Sequence, residues 1–549
     1  MYFVAFACAQ HTKKKDIVEL ERPKLVVGLV VDQMRWDYLT RYADHYGDGG
    51  FRRLMREGYN CNRTLINYIP AITAVGHTSV YTGSVPALTG IIGNHFYIGN
   101  NYVYCTADKS VKGLGAIGQD GHEDPEASSG RQSPCNMLVT TVTDQLRLAT
   151  NFRSKVVGVA LKDRAAILPA GHAANAAYWM DSRSTNFVSS TYYMDELPQW
   201  VRDFNNRHLG DKYAQNLPWK NKTIKDGFWK LLYDEKEYVQ SAPKNQEWEA
   251  ALDATIKQSP WGQTITFDMA RAAVEGEHLG SNPSGVPDFL TISISTTDMV
   301  GHMLSPNSIW MEDLYLRLDK DLEDFLAFLD RKVGKNSYLL FLTADHAGFH
   351  NTRFMRDHRL PAGTWLSSLL PVELNKYLQQ AFPGAFNADP VKSISNMQVY
   401  YSDEAKRHPQ YDAVVDSTCS FLLEKSEITY AFPLAAQLPD NLLEPIRTMT
   451  VNGYCPGRSG DVQIIFQSGV MEDYNSLEEV QRPGHFRKGT THSMWTPEDT
   501  HIPLVFYGYG VPHGWDNRTH HITDIAATVA ALLNIQQPDA CVGEAIDFK

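Results

Sequence analysis

Short apolar runs recur along this chain, and several give way abruptly to a residue that can carry chemistry. Residues 338–342 (YLLFL) follow the turn signal Gly334-Lys335-Asn336 and lead to Asp345 and His346. A run this short and continuous predicts a strand covered on both faces. Residues 25–31 (LVVGLVV) end at Asp32, and residues 289–295 (FLTISIS) run through Thr296 and Thr297 to Asp298. His302 lies four residues beyond Asp298, so a helical turn there puts both side chains on one face. A further run, residues 155–161 (KVVGVAL), closes with Lys162, Asp163 and Arg164. Strands that end this way point their loads into the crevice where open α/β sheets bind ligands.

Helical periodicity fills the intervals. Residues 48–57 predict a short helix stopped by Gly58, followed by a strand over 59–66. Residues 73–82 predict a helix that begins shortly after Pro70. Apolar spacing predicts helices over 136–150 and 266–275, and Leu314, Leu318, Leu322, Phe325 and Leu329 mark an amphipathic helix between the Asp298 and Asp345 runs. That pair of strands with its helix is a β-α-β unit. A strand over 502–507 and a helix over 522–533 close the chain. The alternation predicts an α/β fold with a mostly parallel central sheet. Two stretches interrupt it: about 179–285, which holds six of the eleven tryptophans and reads as an insertion over the crevice, and about 353–485, irregular and polar apart from pieces such as 462–466.

Composition narrows the class. With 43% hydrophobic and 21% charged residues the chain is an ordinary globular protein. Its net charge of -12 comes without a long run of either sign, which excludes a nucleic-acid patch and a polybasic membrane anchor. No stretch approaches the roughly 18 apolar residues of a membrane span. The first residues carry a short apolar patch and Ala7-Cys8-Ala9, similar to the tail of a secretory signal cleaved before Gln10. Residues 1–23 are therefore expected to be a signal-peptide remnant and leader, and 24–549 a single catalytic domain of a periplasmic or secreted protein; a lipid-modified Cys8 is the weaker alternative. None of the seven cysteines forms a C-x-x-C pair, which disfavours a cysteine zinc site. Without Cys8, six remain, enough for three disulfides of open connectivity. Oligomeric state is left open, with a monomer as the starting expectation.

The strand ends supply Asp32, Asp298, His302, Asp345 and His346, the nitrogen and oxygen donors that zinc accepts. Thr73 falls at or near a helix start, where free N–H groups favour an anion; the alternative is an N-cap, a role Thr fills well. Lys162 and Arg164 complement a polyanion, or else form a solvated charged turn. His492 precedes the 502–507 strand, and His501, His520 and His521 read as structural or outer-layer histidines.

Seven motifs carry a resemblance: VVDQMRWDY (30–38), ITAVGHTSVYTGSVP (72–86), GNHFY (93–97), ALKDRAAILPAGH (160–172), STTDMVGH (295–302), TADHAGF (343–349) and GTTHS (489–493). Together they resemble the alkaline phosphatase superfamily, and more closely its secreted bacterial phosphate-irrepressible alkaline phosphatases with a threonine nucleophile. The resemblance implies an α/β/α sandwich. It implies that Asp298, His302 and His492 hold one zinc ion and that Asp32, Asp345, His346 and Thr73 hold a second. It also puts Asn94, Lys162 and Arg164 on the phosphoryl oxygens, Lys162 standing where related enzymes hold magnesium. The implied activity is hydrolysis of small-molecule phosphate monoesters through a phosphothreonine, with release of inorganic phosphate. One departure is Ser493, where many relatives have Gly after the histidine. A phosphodiesterase or nucleotide pyrophosphatase resembles the chain in its threonine and zinc ligands but lacks the Lys-x-Arg pair. A sulfatase needs a C/S-x-P-x-R motif that the Thr73 region does not contain. The alternative from another class is a catalytically silent zinc-binding protein of the same fold.

Overall fold

The apolar runs come together as the middle of one sheet. The computed structural model describes residues 21–220, 251–252, 254–435, 437–480 and 489–548. Its main strands are β1 (Leu25–Val31), β2 (Tyr59–Leu65), β3 (Val156–Ala160), β4 (Ala176–Met180), β5 (Phe187–Ser190), β6 (Asp288–Ile294), β7 (Tyr338–Thr343), β8 (Leu504–Gly508) and β9 (Gly514–His521). They lie in the order β2-β8-β7-β1-β6-β3-β4-β5, with β9 on β2 and two short pieces, Gly113–Leu114 and His501–Ile502, at the margins. The five strands β7, β1, β6, β3 and β4 are parallel, so their carboxyl ends share one edge. β8, β2 and β5 pair antiparallel to their neighbours in that order. Every residue of β1, β3, β4, β6 and β7 is buried. This is what an unbroken Val/Leu run requires: helices on both faces and no alternation.

Those helices form two groups. In one, α1 (Thr73–Thr82), α2 (Val142–Ala149), α3 (Asp163–Ala170) and α7 (Asp524–Leu533) pack on one another. In the other, α4 (Pro260–Gly276), α5 (Thr296–Leu304) and α6 (Ile309–Leu329) do the same. The helix expected over 136–150 starts only at Val142, because Thr141 and Asp144 form a reciprocal capping box that fixes its first turn. The strand expected over 502–507 is divided by Pro503, which cannot donate to a ladder.

Both interrupting stretches hold more regular structure than their polarity suggests. β4 and β5 carry the sheet into the first, and two of its tryptophans pack on the α4 and α6 group: Trp200 donates to Glu277 Oε1 (3.0 Å) and Trp219 to Asp313 Oδ2 (2.8 Å). Trp229 and Trp248 lie outside the described residues. The second builds a four-stranded antiparallel sheet from Val391–Ser395, Gln398–Tyr401, Val462–Phe466 and Ile428–Pro433, with its own core around Leu374, Val399, Leu422 and Ile464. Two of its strands are buried at only some positions, which is why the sequence there reads as polar. The described cysteines 61, 105, 135, 419, 455 and 541 are free thiols. No helix among the described residues is long and apolar enough to cross a membrane.

Candidate active site

The parallel edge brings the carboxylates together. Asp32 follows β1 directly, Asp345 and His346 lie just past β7, and Asp298 sits in the first turn of α5 with His302 one turn on. Lys162 leaves the neighbouring β3 and donates from Nζ to Asp32 Oδ2 (2.7 Å) and Asp298 Oδ2 (2.5 Å). His302 Nε2 lies 3.1 Å from Asp298 Oδ1 and His492 Nε2 lies 3.7 Å from the same oxygen. His346 Nε2 is 3.5 Å from both Asp32 Oδ1 and Asp345 Oδ2, and its ring stacks on that of His492 with centroids 3.5 Å apart.

Each of these three imidazoles has its tautomer fixed by a backbone carbonyl, which can only accept. Nδ1 donates to Thr490 O in His302 (2.9 Å), to Ala347 O in His346 (3.0 Å) and to Ala71 O in His492 (2.8 Å). The lone pair therefore resides on Nε2, the nitrogen that faces the carboxylates. Burial also pushes His346 and His492 below the ordinary imidazole range, with the neighbouring His346 adding to the effect on His492, so both rings stay neutral.

The charge balance is incomplete. Burial and the Asp345 charge push the Asp32 carboxyl up, whereas Asp298 and Asp345, although burial opposes it, are held low, with the Lys162 ammonium acting on both. Three buried carboxylates share one ammonium. Among the described residues Asp32 Oδ1 is buried without a hydrogen-bond partner, a costly state unless a cation meets it, and Asp345 Oδ2 has His77 Nδ1 at 3.1 Å. Two groups have ligand atoms within 4.8 Å of one another: Asp298, His346 and His492, and Asp32, Asp345 and His346. His346 belongs to both. The donor set of imidazole Nε2 and carboxylate oxygen fits zinc.

Two glycines make this convergence possible. A Cβ on Gly76 would stand 2.0 Å from Asp345 O, so α1 can press against the β7 exit only with glycine there. Gly489 has φ 65°, and a Cβ on it would stand equally close to His302 O, so glycine lets the 489–493 segment dock on α5. Ser493 occupies φ 112°, the left-handed region that favours glycine, so the replacement at this position retains a glycine-like backbone and bears the strain.

Thr73 is the first residue of α1, after an extended Ile72, and is therefore not the cap. Its hydroxyl lies 3.3 Å from His346 Nε2, and because that nitrogen carries the lone pair the hydroxyl donates. Asn94 is tied to the same helix start: its Oδ1 accepts from Ala74 N (3.1 Å). Arg164 Nη1 donates to the Tyr104 hydroxyl (2.9 Å), which donates in turn to Asp163 Oδ1 (2.5 Å), while Arg164 Nε is buried without a partner among the described residues. Lys162 and Arg164 thus differ: the first is inside the carboxylate cluster and the second beside it.

Three residues of the site escape pattern reading. Gln33, buried at φ 63°, donates from Nε2 to Asp298 Oδ1 (2.6 Å) and from its backbone N to Asp345 Oδ1 (3.2 Å). His77 lies one turn after Thr73, a spacing that could have found it, and places Nδ1 2.9 Å from Thr73 O and 3.1 Å from Asp345 Oδ2. Tyr104 has no signal in the sequence. His501 and His520 lie elsewhere, the first stacked on Trp36 and the second hydrogen-bonded through Nε2 to Asp516 Oδ1 (2.9 Å).

A sheet of this order with a paired nitrogen and oxygen cradle at its carboxyl edge is an arrangement suited to metal-assisted hydrolysis. Residues 26–494 match the profile of type I phosphodiesterases / nucleotide pyrophosphatases, and the chain belongs to that family, within the alkaline phosphatase superfamily. It is 43% identical to alkaline phosphatase PafA of Elizabethkingia meningoseptica over 96% of its own length and 94% of that protein's. It is 42% identical to alkaline phosphatase PhoV of Synechococcus elongatus, over 96% and 92% respectively. The crystal structure of wild-type PafA superposes with a TM-score of 0.84 at 42% identity, covering 96% of this chain and 99% of that one. The protein is accordingly an enzyme, an alkaline phosphatase acting on phosphoric monoesters.

Proposed function

We propose that this chain hydrolyses small phosphate monoesters in two displacements at Thr73, with two zinc ions held by Asp298, His302 and His492 and by Asp32, Asp345, His346 and Thr73. The observation that carries the reading is the convergence of three imidazoles, each locked with Nε2 toward three buried carboxylates, around one threonine hydroxyl. When bound, the ions supply the Lewis acidity that lowers the proton affinity of a hydroxyl and stabilises a leaving oxygen.

The residues of the chain do the rest. Thr73 Oγ forms a bond to phosphorus as the bond to the leaving oxygen breaks, giving a phosphothreonine and an alcohol. Water then attacks the same phosphorus from the vacated side, the Oγ–P bond breaks, and phosphate leaves with the hydroxyl restored. Throughout, the guanidinium of Arg164, the ammonium of Lys162 and the amide N–H of Asn94 meet the equatorial oxygens, whose charge a monoester presents in full. That is what favours a monoesterase over a diesterase here, since a diester brings one charge fewer. Turnover of p-nitrophenyl phosphate alongside its bis-substituted diester tests the assignment, with metal content measured on the same sample. We expect the monoester to be the faster substrate, two zinc ions per chain and loss of turnover on chelation. A faster diester, or less than one zinc per chain after supplementation, would contradict it.

A further inference from the structure

Beside Asn94 a two-stranded hairpin, His95–Ile98 paired with Asn101–Tyr104, stands against the site. Its cross-strand partners are His95 with Tyr104 and Tyr97 with Tyr102, so all four rings share one face. The rings are in mutual contact: His95 stacks on Tyr102 at 5.4 Å and lies 4.9 Å from Tyr104, and Tyr97 lies 4.9 Å from Tyr102. At one end of this face the Tyr104 hydroxyl accepts from Arg164. Burial pushes His95 below the ordinary imidazole range and the Arg164 charge pushes the same way. At the other end Lys392 Nζ lies 4.2 Å from the Tyr97 ring centroid, and beyond it opens a cleft of about 370 Å³ lined by Tyr400, Tyr454 and Arg458 among others.

The second insertion braces this hairpin. Tyr97 and Tyr102 hydroxyls meet Ser393 Oγ (3.2 Å) and Ser395 Oγ (3.1 Å), and Asn396 Nδ2 donates to His95 O (2.9 Å). What stays open is the middle: His95 is exposed, and Tyr102 keeps 52% of its surface in solvent. The two ring pairs are two residues apart along the strands, about 7 Å, the span of one or two fused flat rings.

We propose that the aromatic face of this hairpin is a leaving-group platform, on which an aryl or heteroaryl group stacks while Arg164 and Asn94 hold its phosphoryl group. The inference rests on the reading of those two residues as phosphoryl contacts. Offset and edge contacts between rings are worth about three- to tenfold in affinity. Tyr102→Ala should therefore raise KM for phenyl phosphate by about three- to tenfold with kcat held, leave ethyl phosphate unchanged, and be rescued by Tyr102→Phe. His95→Ala/Tyr102→Ala should enlarge the loss on phenyl phosphate and still leave ethyl phosphate unchanged. Equilibrium binding of phenylphosphonate and ethylphosphonate reads the same ratio without turnover, so failure of the platform and failure of the hydrolytic assignment are told apart. An equal change on both compounds, or none on either, overturns the proposal.

Discussion

The two halves of the site are built by different rules. The proposed metal-ligand half comes from adjacent strand ends, one helix turn and the 489–493 loop that brings in His492, is mostly buried, and has each imidazole pinned by a main-chain carbonyl. The proposed phosphoryl half draws Asn94 from a loop and Arg164 from the start of α3, each anchored by groups outside the sheet and each partly exposed. The contrast teaches where tolerance lies. A ligand set fixed by backbone geometry has little room to move, whereas a phosphoryl contact hung on Tyr104 and a hairpin can be retuned without disturbing the sheet.

Thr73 stands where the halves meet, and its loss gives the largest expected effect. Thr73→Ala should take monoester turnover to the assay floor while the far-ultraviolet circular dichroism and phosphate binding persist; Thr73→Ser should keep a good part of the rate. An alanine variant at wild-type rate would move the nucleophile elsewhere.

Gln33 sharpens the comparison from the metal side. Gln33→Gly keeps the positive φ without strain but loses the donor to Asp298, so zinc affinity in a chelator competition should fall about 10- to 100-fold. Tyr102→Ala, on the other half, should leave zinc affinity where it is. Identical losses would erase the distinction between the two regions.

The smallest effect lies outside both. Burial pushes the Asp321 carboxyl on α6 up to about 7, although the Thr264 hydroxyl donates to it. In the unfolded chain an aspartate titrates near 4. Between those values the folded state binds the extra proton, so stability falls as pH rises through this window and then levels off. Asp321→Asn should therefore stabilise the protein by about 1–3 kcal/mol at pH 8, with the gain vanishing near pH 4 and kcat/KM unchanged. A constant gain at both pH values in denaturant titrations would assign the effect to something other than this proton.

Legibility followed the same divide. Asp32, Asp298, Asp345, His346 and Lys162 could be read from the chain because a strand buried on both faces leaves an unmistakable apolar run, and His302 because a helix repeats near four residues. His492 and Asn94 entered through resemblance, since a ligand on a loop 146 residues beyond His346 obeys no local period. Gln33 acts through a left-handed backbone angle that Gln does not announce. β5 was missed because four residues, though all buried, make too short a run to signal a strand, and two strands of the second insertion were missed because their partial burial looks like a polar loop.

The most direct test of the central claim, that this site reads the full charge of a monoester, is kcat/KM of Lys162→Ala/Arg164→Ala on a monoester and a diester with the same leaving group. Charge-assisted contacts are each worth roughly 1.5–3 kcal/mol, so the monoester should lose about two to four powers of ten. The diester, with one charge fewer to satisfy, should lose far less. Equal losses on both substrates would mean that the pair supports the carboxylate cluster as a whole and does not select the monoester.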